Sequence, residues 1–230
     1  MLLVVPFLKL QTSVKLTLVP VIIIVGEIAF WAGTFFLGKE LVKRYRNYLN
    51  PLKWFKRRSV NDSGTLNNLN IRTMEDADSE KVLEIYKMGI DTKNAAFETN
   101  VPSWQEWNAN HLGHSRFIID VEGVAAGWVA LSPVSKREAY KGVAEISIYI
   151  HNNYRGKGLG SLLMQKVIES SEDNGIWTLY GVVFPENRAS IQLHRKHGFR
   201  IIGSREKISR IDGNWRDTVI LERRSRKIGV

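Results

Sequence analysis

The run Tyr154-Arg155-Gly156-Lys157-Gly158-Leu159-Gly160-Ser161 decides how this chain folds. An arginine and three alternating glycines join an apolar strand, Ala144 to Ile150, to a segment of helical periodicity. In such a connection successive backbone N–H groups converge on an anion, and glycine lets the ligand come close to the backbone. The run therefore reads as a cradle for a pyrophosphate. Its spacing excludes two better-known phosphate loops. There is no Gly-x-x-x-x-Gly-Lys-Ser/Thr, and glycines at 156, 158 and 160 do not make Gly-x-Gly-x-x-Gly. What remains is Arg-x-x-Gly-x-Gly, entering a helix whose apolar residues Leu159, Leu162, Leu163, Val167 and Ile168 form one face. Taken alone, the loop also fits a glycine-rich connection without a ligand, so its neighbours decide.

Outward from the loop, strands and helices alternate. Ile71 to Met74 reads as a short strand and Asp78 to Gly89 as a helix. Ser103 and Glu106 make a capping box for a second helix ending near Gly113. Phe117 to Val121 and Val124 to Leu131 form a hairpin about Glu122-Gly123. After the strand at Ala144 to Ile150 and the helix running to about Ser171 come a strand at Thr178 to Phe184 and a helix from Asn187 to His197. A hairpin over Asp212-Gly213, with arms Arg200 to Ile211 and Asn214 to Glu222, closes the series.

This order, with Arg-x-x-Gly-x-Gly after the fourth strand, resembles the GNAT family of acetyl-coenzyme A dependent N-acetyltransferases. A second motif supports the resemblance. Asn187 to Phe199, with Leu193-His194 and Gly198-Phe199, falls where the family carries Asn-x-x-x-x-x-Leu-Tyr-x-x-x-Gly-Phe. Within the family the chain is similar to the phosphinothricin and methionine-sulfoximine acetyltransferases. The matching residues are Phe97-Glu98-Thr99 before Trp104 to Trp107, Arg137 with Ala139-Tyr140, Ala144-Glu145 before Ile148-Tyr149-Ile150, and His194 in place of tyrosine. Glu138 and Lys141 depart from that pattern and change the charge beside Arg137.

The resemblance implies an α+β fold, with a central mixed, mostly antiparallel twisted sheet flanked by helices. It also implies acetyl-CoA as acyl donor and a small amine as acceptor. Glu145 would be the general base, acting through water. His194 would protonate the departing thiolate or orient the acceptor. Arg155, Gly156, Lys157, Gly158, Leu159 and Gly160 would hold the pyrophosphate, with Ser161 opening the helix. The backbone of Ile148, Tyr149 and Ile150 would pair with the pantetheine arm as an added strand, and Asn187 would bond that arm. Arg137 and Tyr140 would take a carboxylate on the acceptor, beside Phe97. His111 and His114 stand three apart without a completing ligand set, so no metal is expected.

The remainder of the 230 residues is of a different character. Residues 16–38 are nearly all apolar, with Glu27 the only charge, and this stretch exceeds the roughly 20 residues needed to cross a bilayer. Between Lys39 and Arg58 stand eight basic residues and one acid, Glu40. Residues 1–38 add a net +1, so only +2 of the formal +10 is left for residues 59–230. The basic excess argues for anionic lipid rather than nucleic acid. Leu41, Val42, Tyr45, Leu49 and Leu52 recur at helical spacing, as in an amphipathic interfacial helix. Gly26 to Gly33, with Gly38-Lys39-Glu40 and Leu49-Asn50-Pro51, resembles the bacterial transporter suffix membrane domain.

The expected organisation is a membrane anchor at 1–58, a linker at 59–69, an acetyltransferase domain at 70–224 and a basic tail at 225–230. The catalytic domain is expected to face the cytoplasm from the inner membrane, and two copies of the chain to be able to pair as a homodimer. The chain has no cysteine, which excludes disulfides and thiol catalysis. Two functions remain open on these grounds: acetyl transfer to a small or peptide amine, and a non-catalytic acetyl-CoA-binding module that regulates a membrane partner.

Overall fold

The computed structural model describes residues 68–230. The expected span at 16–38, the basic segment at 39–58 and most of the linker at 59–69 lie outside the described residues. Among the described residues no helix is long and apolar enough to cross a membrane.

The elements are β1 (Leu69–Thr73), α1 (Ser79–Asp91), α2 (Trp104–Asn110), β2 (Phe117–Val121), β3 (Val124–Pro133), β4 (Val143–Ile150), α3 (Leu159–Asp173), β5 (Thr178–Val183), α4 (Arg188–Lys196), β6 (Arg200–Ile211) and β7 (Asn214–Arg224), with short 3-10 turns between some of them. One sheet carries the strands in the order β1-β2-β3-β4-β5-β7-β6. Neighbours are antiparallel except β4 and β5, which run parallel. The mixed, mostly antiparallel sheet expected from the sequence is therefore present.

Local chemistry sets the element ends. The Ser103 hydroxyl accepts from the Glu106 N–H at 3.3 Å, and the Glu106 carboxylate accepts from the Ser103 N–H at 2.9 Å, so α2 begins at the predicted capping box. It stops at Asn110, earlier than the expected Gly113. The Leu112 N–H is taken by the Leu131 carbonyl at 2.7 Å, and the Arg116 guanidinium gathers the carbonyls of Asn108 (3.1 Å) and His111 (2.6 Å). These bonds draw the chain onto the sheet before another helical turn can form.

Two apolar layers cover the sheet. One holds α3 and α4 against Ile119, Val129, Leu131, Ile146, Leu179 and Leu221. The other holds α1 and α2 against Ile118, Trp128 and Ala130, and there the buried Trp128 indole N–H donates to the Val82 carbonyl at 3.0 Å. In α3 the buried stripe is Leu159, Leu163, Met164 and Val167, whereas Leu162, expected inward, is 40% exposed.

β4 alternates between the layers. Ile146, Ile148 and Ile150 pack on the α3 side and Tyr149 on the α1 side, as a period of two requires. On its other edge β4 pairs with β5 only through Val143↔Thr178, Ala144↔Leu179 and Glu145↔Tyr180. Beyond these pairs the strands part, although β4 continues to Ile150 and β5 to Val183. The sheet is thus forked, with Glu145 and Tyr180 at the base of the fork.

Candidate active site

The loop that follows β4 has the geometry of an anion cradle. Gly156 and Gly158 adopt φ of +76° and +87°, backbone that other residues enter at a cost. Gly158 caps α3, and its carbonyl accepts from the N–H groups of Ser161 (2.9 Å) and Leu162 (3.4 Å). The N–H groups of Gly156, Lys157, Gly158, Leu159 and Gly160 take no acceptor among the described residues. Five consecutive free donors at the positive end of a 15-residue helix favour an anion there. Arg155 Nε donates to the Ile150 carbonyl at 3.3 Å, and Lys157 Nζ lies 5.1 Å from the centre of the Tyr154 ring, so both cations stay beside the loop.

Ser161 makes contacts that its sequence position does not reveal. Its hydroxyl lies 2.6 Å from His197 Nε2 and accepts from Lys196 Nζ at 3.2 Å. The end of α4 therefore adds a cation to the rim of the cradle, a contact between residues 35 apart in sequence.

Glu145 stands at the base of the fork on the α1 side. Its carboxylate makes no hydrogen bond or ion pair with any described residue. Burial pushes its pKa above the ordinary glutamate value, Arg205 pulls it down and Glu98 pushes it up. A partly buried, unpaired and weakly acidic carboxylate at a cleft is suited to accept a proton.

His194 reaches the same point from the opposite face. It is 2% exposed, stands edge-on to Phe199 with ring centres 4.9 Å apart, and lies against Gly181, the first β5 residue beyond the β4 pairing. A Cβ on Gly181 would lie 2.7 Å from His194 Nε2, so only glycine admits the ring there. Nδ1 lies 2.8 Å from the Ser190 carbonyl, which only accepts, so Nδ1 carries the proton. Nε2 then holds a lone pair, and it is buried without a partner among the described residues. Burial depresses the imidazole pKa, the Ser190 carbonyl partly opposes this, and His197 adds to the depression. In this neutral tautomer His194 takes up a proton before it can give one.

The remaining expected residues divide between the cleft and its supports. Tyr149 is held by its ring, stacked on Trp128 at 4.8 Å and edge-on to Tyr86 at 5.0 Å, while its hydroxyl donates to the Ala95 carbonyl at 3.2 Å. Burial raises its pKa well above the usual phenol value. Beyond the last β4–β5 pair, the β4 edge over Ile148 to Ile150 has no strand beside it, and the Ile150 carbonyl there accepts from Arg155 Nε. Asn187 Oδ1 accepts from the Ser190 N–H at 3.2 Å and caps α4, while Nδ2 donates to the Asn94 carbonyl at 3.0 Å. Its side chain thus fastens α4 to the loop after α1. Phe97, in that loop, meets Phe184 edge-on at 4.8 Å. Arg137 lies 5.7 Å over Tyr140 in the turn before β4, and both are exposed.

Among the described residues no group of histidines and acids is placed to hold a metal ion. His111 Nδ1 lies 2.6 Å from the Trp107 carbonyl and its ring stacks on Trp107.

Known proteins resemble this chain in sequence and fold. Residues 80–199 match the acetyltransferase (GNAT) family. The Bacillus subtilis protein YwnH, a candidate phosphinothricin acetyltransferase by name, is 32% identical over 160 residues, covering 67% of this chain and 98% of its own. An L-methionine sulfoximine/L-methionine sulfone acetyltransferase of Pseudomonas aeruginosa is 28% identical over 158 residues, covering 66% of this chain and 92% of its own. A crystal structure of a GNAT superfamily phosphinothricin acetyltransferase from Sinorhizobium meliloti, in complex with acetyl-CoA, superposes with a TM-score of 0.62 at 27% identity, over 68% of this chain and 88% of that one.

Proposed function

The chain belongs to the acetyltransferase (GNAT) family, whose acyl donor is acetyl-CoA, and from that premise we propose that it acetylates the amine of a small amino-acid-like acceptor. The observation that carries this reading is the fork. Glu145 meets its base from the α1 side, His194 from the α3 and α4 side, and the free donors of the glycine loop lie at the β4 end.

Bound acetyl-CoA supplies an activated acetyl thioester. The unpaired N–H groups of residues 156–160, with Arg155 and Lys157, hold its phosphates, and the β4 edge over Ile148 to Ile150, left without β5 beside it, accepts the pantetheine arm as an added strand. Glu145, weakly acidic for a glutamate, takes the proton that leaves the amine, directly or through water. His194 Nε2 holds or passes on a proton at the other face, and the Ser190 carbonyl keeps its ring oriented. The names of the relatives support phosphinothricin, methionine sulfoximine and methionine sulfone as first acceptors to try.

We further infer from the sequence that residues 16–38 anchor the chain in the inner membrane, with the basic stretch 39–58 on anionic lipid and the acetyltransferase on the cytoplasmic side, where its donor is made.

The test of the enzymatic reading is thiol release from acetyl-CoA by the full chain with these three acceptors and the common L-amino acids. Acceptor-dependent release is expected. Coenzyme binding without release from any amine would favour the regulatory module instead.

A further inference from the structure

Lys196 and His197 have no task in the reaction as described, yet both reach Ser161 at the rim of the glycine loop. Two helix ends meet there. Ser161 is the third residue of α3, whose first N–H groups are free, while Lys196 ends α4 and His197 caps it. Side chains of a helix tilt toward its N-terminus, so the Ser161 hydroxyl leans toward the cradle.

That hydroxyl joins the other two groups. It lies 2.6 Å from His197 Nε2 and accepts from Lys196 Nζ at 3.2 Å. A serine hydroxyl has one proton and two lone pairs. When Nε2 carries no proton, the serine O–H is turned to the ring and none is left for a ligand. When the ring is an imidazolium, Nε2 must donate. Imidazolium and ammonium then fill the two lone pairs, and the serine O–H is free to donate to an anion in the cradle. Protonation of His197 therefore adds a donor and a positive charge to the rim together.

The surroundings keep that proton off the ring until an anion arrives. His197 is partly buried, with Lys196 beside it on α4 and Arg223 approaching from β7, and burial and both cations lower its pKa. Arg223 is itself bonded to the Glu172 carboxylate at 3.0 Å, and His194, the other titratable neighbour, is held neutral by burial. No acid pairs with Lys196 or His197 among the described residues. A phosphate in the cradle supplies the missing negative charge, and a nearby anion favours the protonated ring.

We propose that acetyl-CoA binds with uptake of a proton by His197, which together with Lys196 holds the Ser161 hydroxyl as a further donor to a coenzyme phosphate. Affinity for the coenzyme then rises as pH falls through the titration of His197 in the complex, and levels off below its titration in the free protein. This rests on the glycine loop being the coenzyme site.

The test is calorimetry of acetyl-CoA binding to full-length wild type and His197→Gln at about pH 8 and about pH 6, in buffers of different ionisation enthalpy so that the protons exchanged are counted. Glutamine keeps a hydrogen-bonding group beside Ser161 and does not titrate, and His197→Asn replaces it if it does not fold. Titration of the coenzyme's own phosphate is common to both proteins and cancels in the comparison. A charge-assisted contact predicts that wild type gains about 10-fold more affinity than the variant between the two pH values and takes up more protons on binding. Equal pH dependence in the two proteins, including an affinity loss in the variant that is the same at both pH values, overturns the proposal. Wild type that binds no acetyl-CoA at either pH refutes the glycine loop as the coenzyme site, and this result is distinct from the others.

Discussion

At the scale of single residues, the proposed base Glu145 would couple activity to stability. Its pKa is raised in the folded protein, so its ionised form is disfavoured there. The stability associated with the group is present below the ordinary glutamate pKa and is lost as pH rises through the folded value. Glu145→Gln is therefore expected to unfold at a higher temperature than wild type at neutral pH and to lose that advantage in acid. Thermal melts at several pH values decide this, and a variant less stable at neutral pH would contradict it. The same carboxylate should set the acidic limb of kcat/KM, because only its deprotonated form accepts a proton. Removing the Arg205 charge shifts that limb to higher pH and Glu98→Gln shifts it lower. A limb that moves with neither substitution belongs to another group.

Sequence was informative here where chemistry is local. Alternation along β4 was enough to separate Glu145 and Tyr149 from the isoleucines. Arg205 gave no such signal, because it comes near Glu145 only through a bulge and a hairpin that closes on a loop more than 100 residues earlier in the chain. The tautomer of His194 also required coordinates, since it depends on which carbonyl its Nδ1 meets.

At the scale of elements, α4 is a device for holding His194 at the fork. Gly181→Ala probes it, since the added methyl meets His194 Nε2 at 2.7 Å and the ring must shift. We expect about 1–3 kcal/mol of lost stability, as is usual for an overpacked core, and a fall in kcat larger than any fall in acetyl-CoA affinity. Unchanged kcat in a folded variant would remove His194 from the reaction.

The far end of α3 is clamped in a different way. Glu172 is buried, which opposes ionisation, yet hydrogen bonds from Arg223 (3.0 Å) and Ser225 (2.9 Å), with Lys227 at 3.2 Å, prevail and hold its pKa below the usual value. Glu172→Ala leaves those donors facing a cavity and should cost about 2–4 kcal/mol in denaturant unfolding, less than for a fully buried pair because Lys227 is exposed. The sign follows from the lowered pKa. The stabilisation is present above the ordinary glutamate pKa and disappears as pH falls through the folded one, so mutant and wild type should converge in acid. This contact also explains why residues 225–228, expected only as part of a basic tail, lie against the domain: Ser225 is 3% exposed and its N–H donates to the Trp177 carbonyl at 2.8 Å. The periodicities of α3, both hairpins and the capping box of α2 were legible because each depends on neighbours in sequence. The clamp and the early end of α2 were not, because their partners are distant.

At the scale of the whole molecule, chemistry is assigned to a sheet that opens rather than to a pocket on its surface. The parallel β4–β5 pair ends after three residue pairs, and this break lies between the layer that packs α3 and the layer on the Glu145 side. The order of strands and helices suggested the family, but the length of the β4–β5 pairing is not encoded in any local pattern. The proposed anchor belongs to the same scale. Full-length protein should float with vesicles containing anionic lipid, and a chain lacking residues 1–58 should remain in solution. Equal flotation of the two would contradict the anchor.

The most direct measurement is steady-state thiol release by wild type and Glu145→Gln with acetyl-CoA and L-methionine sulfone, with acetyl-CoA affinity determined by calorimetry on both. A positioned base typically contributes about 100- to 10,000-fold, so the account predicts turnover by wild type, a loss of at least about 100-fold in the variant, and equal coenzyme affinity. Undiminished turnover by a Glu145→Gln protein that binds acetyl-CoA normally would contradict it.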